Sequence, residues 1–213
     1  MAKEYWKPGN MLYPVPVVMV SCARGEERPD IVTVAWAGTI CSDPAMVSIS
    51  LRKERFSHGI IKETGEFVIN LVNKRLVRAT DFCGVRSGRD VDKFAETRLT
   101  AQKSRYVKAP GIEESPVNLE CRVVEVKELG SHDLFIAQVV GVTIDGQYMD
   151  DRGKFSLNAS GLVSYSHGEY FELGKKLGSF GYSVKKTIKK RKPSGAPENK
   201  DRAKKKQTRR RQK

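Results

Sequence analysis

The chain has 213 residues, 39% hydrophobic and 30% charged, with 39 Lys+Arg against 25 Asp+Glu and a formal net charge of +14. That balance excludes a wholly disordered or fibrous chain and is enough for one folded domain with a real core. The four cysteines (Cys22, Cys41, Cys83, Cys121) form no C-x-x-C pair and have no His at zinc-finger spacing, so no metal site and no disulfide framework is expected and a reducing, cytoplasmic setting fits.

The N-terminus "MAKEYWKPGN" has no apolar core of the secretory kind, and the longest strongly apolar run, "VPVVMV" (15–20), is far too short to span a bilayer; neither a signal peptide nor a membrane span is expected. The first strand is "VPVVMVSCA" (15–23), followed by the turn-rich "RGEERPD" and a second strand, "DIVTVAWAGTI" (30–40). In that second strand Val32, Val34, Trp36 and Ile40 make a bulky face, and Thr33, Ala35, Ala37 and Thr39 a small one. "AMVSISL" (45–51) and "EFVINLV" (66–72) continue the set. Between them "FSHGIIKETGEF" reads as a short helix with Ser57 as N-cap, Phe56 and Ile61 as a hydrophobic staple, and Gly65 as the terminating glycine. "NKRLVRATDFCG" (73–84) predicts a helix ending at Gly84, and "DVDKFAET" (90–97) a turn or two. "VNLECRVVEVKEL" (117–129) and "LFIAQVVGVTI" (134–144), separated by "GSHD", predict a long hairpin with Asn118, Glu120 and Arg122 on its wet face. Asn70 is expected to satisfy backbone groups. Six strands with few short helices predict a mainly β protein built on a closed barrel.

Charge is unevenly spread: residues 185–213 hold 15 of the 39 bases and two of the 25 acids, so they carry +13 and the other 184 residues +1. The division expected is a folded domain over 1–182 and a basic, low-complexity, disordered tail over 183–213. Such a tail is attracted to polyanions (nucleic acid, ribosomes, acidic lipid), and an inert solvated extension has the same composition. No aromatic follows Tyr182, which argues against base stacking by the tail.

Residues 50–58, "SLRKERFSH", carry Arg52, Lys53 and Arg55 from a strand end into a helix N-terminus, where free N–H groups and guanidinium forks suit a phosphate. "CGVRSGRDVDKF" (83–94) is a second basic, glycine-bearing loop with Arg89 and Lys93. Ordinary solvated loops also have these compositions. No G-x-G-x-x-G opening a helix and no P-loop is present, so a Rossmann or P-loop site is unsupported.

Taken in order, "TVAW" (33–36), "DP…VSISLRKERFSH" (43–58), "GEFVINLV" (65–72), "FCGVRSGRDVDKF" (82–94) and "GSHDLFIAQV" (130–139) resemble the flavin reductase-like family, and in particular its flavoredoxin-type members. The resemblance covers roughly residues 10–170. It implies a six-stranded Greek-key FMN-binding split barrel, working as a homodimer with FMN near the subunit interface. Carried over residue by residue, it implies that Thr33, Val34 and Ala35 present backbone to the isoalloxazine, with Trp36 packing close. Ser50, Leu51, Arg52, Ser57 and His58 would hold the ribityl phosphate, Lys93 would add a cation, and His132 would approach the flavin. Tyr165 would cover the ring, and Cys83 lies in the matching loop. Asp30 stands where such proteins often carry Asn, and a carboxylate accepts hydrogen bonds without donating them. On this reading the small strand face is clearance beside the flavin.

The activity implied is an FMN-dependent oxidoreductase, with NADH or NADPH as donor and a flavin, small molecule or protein redox partner as acceptor. No side chain need act as nucleophile or general base, because the flavin carries the chemistry. A nucleic-acid- or ribosome-associated binding protein acting through the tail is the alternative from another class. A structural dimer that has lost its flavin is a third.

Overall fold

The computed structural model of the chain describes residues 1–185. In chain order it contains β1 (Val15–Pro16), β2 (Val18–Cys22), β3 (Asp30–Val34), β4 (Ala37–Ser42), β5 (Ala45–Arg52), α1 (Phe56–Thr64), β6 (Glu66–Leu71), α2 (Val77–Val85) and α3 (Lys93–Thr97). There follow β7 (Ala101–Gln102), β8 (Gly111–Ile112), β9 (Val117–Leu129), β10 (His132–Ile144), β11 (Val163–Ser166) and β12 (Glu169–Glu172). Residues Met1–Gly174 form one compact unit that holds all of these strands and helices, and the chain from Lys175 on is a second unit. The predicted tail lies, from residue 186 on, outside the described residues.

The principal sheet is antiparallel with seven strands in the order β3-β2-β6-β9-β10-β5-β4. The predicted strand 30–40 is two strands, and they occupy opposite edges of this sheet. Only Ala35 and Trp36 join them. Three Cα–Cα steps reach at most about 11 Å, so the two edges are drawn together and the sheet curls into a split barrel. The Ser50 amide donates to the Trp36 carbonyl at 2.8 Å, tying the join to β5. The period-2 alternation runs unbroken through the join, and that is why the break is invisible in the sequence.

Inside the curl, Val18, Val20, Val32, Val34, Ile49, Phe67 and Phe135 meet Ile60 and Ile61 of α1, which closes one end. Outside it, Met19 and Ile31 pack under α2 and α3 with Leu76, Cys83 and Phe94. Neighbouring residues of β2 and β3 therefore face two different cores, and all five β2 residues are buried. The small face of β3 makes room for α2. Thr33 donates to the Thr80 carbonyl, and a methyl added at Gly84 would stand 3.3 Å from the Thr33 Cβ.

The predicted hairpin is present, with β10 starting at His132, inside the expected turn. Its face is not wet at Asn118 and Glu120, which are buried. Glu120 accepts the amides of Arg105, Tyr106 and Val107 at 3.1, 2.5 and 3.2 Å, and Asn118 donates to the Ile112 carbonyl at 3.0 Å; the loop before β9 covers both. Asn70 satisfies backbone groups as expected, donating to the Met19 carbonyl at 3.0 Å and accepting from Ile112 at 2.9 Å. Helix α1 starts two residues earlier than expected. Arg55 is its N-cap, Ser57 makes no cap bond, and Phe56 is inside the helix rather than at a staple position. Gly65 terminates it in the left-handed conformation, φ 68°, with its amide on the Ile61 carbonyl. Helix α2 runs through Gly84 to Val85. Among the described residues no helix is long and apolar enough to cross a membrane.

Candidate functional site

The join between β3 and β4 opens onto a cleft of about 450 Å³. It is lined by Thr33 and Val34 at the end of β3, Ala35 and Trp36 of the join, and Ser50 and Leu51 of β5. Arg52 and His132, opposed in the β5–β10 register, stand at its rim. Of the residues the sequence resemblance pointed to, Thr33, Val34, Ala35, Trp36, Ser50, Leu51, Arg52, His132 and Tyr165 all line this one cleft.

Aromatic rings also line the cleft: Tyr13, Trp36, Tyr165 and Tyr170. Ring centroids lie 5.9 Å apart for Tyr13–Trp36, 6.3 Å for Tyr13–Tyr165 and 5.6 Å for Tyr165–Tyr170. Tyr170 donates to Asp81 of α2 at 3.1 Å, which ties the β11–β12 hairpin to the helix. Burial, reinforced by the Asp81 carboxylate, pushes the Tyr170 phenol up to about 12. At the hairpin tip His167 adopts a left-handed backbone, φ 48°, and sets its ring 4.6 Å from that of Tyr13. Sequence reasoning missed Tyr13, Asp81 and Tyr170, because single aromatics and a helical Asp have no spacing that distinguishes a cleft wall from surface.

Arg55 links the cleft to a second pocket, also of about 450 Å³, between the head of α1 and the loop after α2. Arg55, Arg86 and Arg89 line it with Ser57, Ser87 and Lys93. Arg55 donates to the Gly84 carbonyl at 2.9 Å, locking the start of α1 to the end of α2. The loop lies close because residue 88 is glycine: a methyl there would stand 2.1 Å from Asp30 Oδ1 and 2.8 Å from Phe56. The start of α1 adds the positive end of its dipole.

Four expected residues are not brought into the cleft. Ser57 and Lys93 reach the second pocket, where both turn their polar atoms to Asp30: Ser57 donates to Oδ2, and Lys93 Nζ lies 3.2 Å from Oδ1. Cys83 is fully buried, and burial pushes its thiol up to about 12. His58 sits on the inner face of α1, its Nε2 2.8 Å from Asp133 and its ring edge-on to Phe135 at 5.3 Å. Helical periodicity explains this: positions 57, 58, 60 and 61 share the buried face. On the far side of β10, Asp133 points away from the cleft that His132 lines, as strand alternation requires. Among the described residues no cluster of His, Cys, Asp or Glu is suited to a metal ion.

The arrangement fits a flavin nucleotide. A slot walled by peptide groups and aromatic rings suits a planar heterocycle, and an arginine-lined pocket reached through Arg55 suits its phosphate.

The model of the flavin reductase like domain matches residues 10–174. Among solved structures, the flavoredoxin of Desulfovibrio vulgaris is 31% identical with a TM-score of 0.79, covering 86% of this chain and all of that one. A flavoredoxin from Methanosarcina acetivorans is 26% identical with a TM-score of 0.75 at the same coverage. An NADPH-flavin oxidoreductase of Streptomyces viridifaciens is 26% identical over 155 residues, 72% of each chain.

Proposed function

Because this chain belongs to the flavin reductase-like family, we propose that it binds FMN, with the ring in the cleft beside the β3–β4 join and the phosphate in the arginine-lined pocket. A flavin-related redox role is what the family and its oxidoreductase-named relatives support. The observation that carries the reading is the continuity of an aromatic-lined cleft with a cationic pocket: Val32, Arg55 and Val85 line both.

When bound, the flavin supplies the hydride and electron chemistry. The chain supplies position and charge. Trp36, Tyr13 and Tyr165 exclude water from one wall, and backbone groups of residues 33–35 offer hydrogen bonds to the ring's polar edge. Arg52 and His132 stand at the rim as cation and hydrogen-bond donor, where they favour negative charge developing in the cleft. His132 Nδ1 lies 2.8 Å from Ser131 Oγ, which leaves Nε2 for a ligand. NADH or NADPH is the proposed donor, and a free flavin or a redox partner the acceptor. A homodimer goes with this reading. Its support is the uncharged edge strand β4, whose Gly38, Thr39 and Ile40 are exposed and unguarded.

The test is anaerobic mixing of FMN-loaded protein with NADH and with NADPH. Bleaching of the flavin by either supports a reductase. Absence of bleaching by both, with bleaching by a chemical reductant, restricts the protein to electron carriage between partners.

A further inference from the structure

Lys93 borders the arginine-lined pocket, yet its charge is engaged elsewhere. The side chain is 3% exposed. An ammonium has three donors and no acceptor. Nζ gives one proton to the Ile31 carbonyl at 2.5 Å and one to the Cys83 carbonyl at 3.3 Å. Its charge faces Asp30 Oδ1 at 3.2 Å, a carboxylate itself 2% exposed and outside the pocket lining. The second Asp30 oxygen accepts the Ser57 hydroxyl proton, so this donor too is directed away from the pocket. Gly88 lies against Asp30 with no space between them, which keeps the pair dry. The arginines are placed differently. Arg86 and Arg89 are exposed, and Arg55 gives only one of its five donors to a protein carbonyl. Arg89 rests over Phe56 at 5.6 Å, which holds its fork at the pocket mouth.

We infer that Asp30 determines the pocket's affinity for a phosphate ester by cancelling the charge of Lys93, leaving recognition of the phosphate to Arg55, Arg86 and Arg89. The inference rests on the reading that a flavin phosphate occupies this pocket. Lys93 is then a structural clasp between β3 and α2, and the pocket holds an anion less tightly than its count of basic residues suggests.

FMN and riboflavin differ by the phosphate alone, so the ratio of their affinities isolates this pocket. The experiment titrates both into wild type, Asp30→Asn, and Asp30→Asn/Lys93→Gln, following flavin fluorescence. The neutral double variant leaves no buried charge unpaired, so it remains informative where the single variant fails to fold. Its FMN:riboflavin ratio is expected to stay within about twofold of wild type, because a cancelled pair contributes no net charge. Asp30→Asn frees the Lys93 charge and is expected to raise the ratio about tenfold. A double variant that loses its preference for FMN while still binding riboflavin overturns the inference, since Lys93 would then be a phosphate ligand. A folded Asp30→Asn with an unchanged ratio overturns it too. Wild type that binds neither compound overturns the flavin reading and this inference with it.

Discussion

Arg55 is the residue on which the site depends most. Its backbone caps α1, its guanidinium ties α1 to the end of α2, and it lines both the cleft and the arginine pocket. A charge-assisted hydrogen bond contributes about 1.5–3 kcal/mol. Arg55→Ala is therefore expected to weaken FMN by roughly 10- to 100-fold and riboflavin far less, read by flavin fluorescence titration. His58 and Asp133 affect the protein differently, through pH. Burial alone would raise the Asp133 carboxyl, but hydrogen bonds from His58 and Lys53 outweigh it and hold Asp133 below its ordinary 3.8. A carboxyl lowered in the folded state binds protons more tightly when unfolded. The stability it contributes is complete above the ordinary value and is lost as pH falls through the lower folded one. Thermal melts between pH 6 and about pH 2.5 should show wild type losing stability in acid more steeply than Asp133→Asn. Parallel slopes would remove Asp133 from the account of acid sensitivity.

Among the elements, α1 and the loop after α2 each carry a glycine, and the two are opposite in character. Gly88 has no room for a methyl beside Asp30 and Phe56. Gly88→Ala is expected to cost about 1–3 kcal/mol in urea unfolding and to open the arginine pocket. Gly59 is exposed in the interior of α1, its nearest neighbour an Arg24 nitrogen at 3.7 Å. Gly59→Ala is expected to stabilise by about 0.5–1 kcal/mol, since alanine loses less backbone freedom in a helix. The two variants should shift the urea midpoint in opposite directions. The same elements show how far sequence carries. Apolar alternation located the strands of the barrel and the long hairpin, because a half-buried strand must alternate. The alternation could not reveal that 30–40 breaks at Ala35–Trp36, since both halves keep the same phase. Polar Asn118 and Glu120 read as wet because composition does not show a loop that arrives from residues 103–112 to cover them. The site was legible where strands build it: residues 33–36 and 50–52 meet in the cleft. Ser57 and His58 do not reach the cleft, because the helix turns those positions inward, and Lys93 turns to a carboxylate 63 positions away in the chain.

For the whole molecule, the fold works by bringing distant segments to one place. The curl of the seven-stranded sheet puts the β3–β4 join, the end of β5 and the start of β10 on a single cleft, and the helices beside β3 add the cationic pocket. Residues Met1–Gly174, which hold every residue of the cleft, form a compact unit of their own, while much of the net charge of +14 lies in the sequence from 185 on. Deleting residues 186–213 is accordingly expected to leave FMN affinity unchanged and to abolish any salt-sensitive binding to RNA, measured side by side in the same buffers. A flavin site in the cleft is open to one direct measurement: equilibrium dialysis of the purified chain against FMN, with the visible spectrum recorded before and after. One FMN per chain, with a red-shifted or resolved flavin band that Arg55→Ala weakens, is the predicted result. A colourless protein that takes up no FMN from a large excess would contradict it.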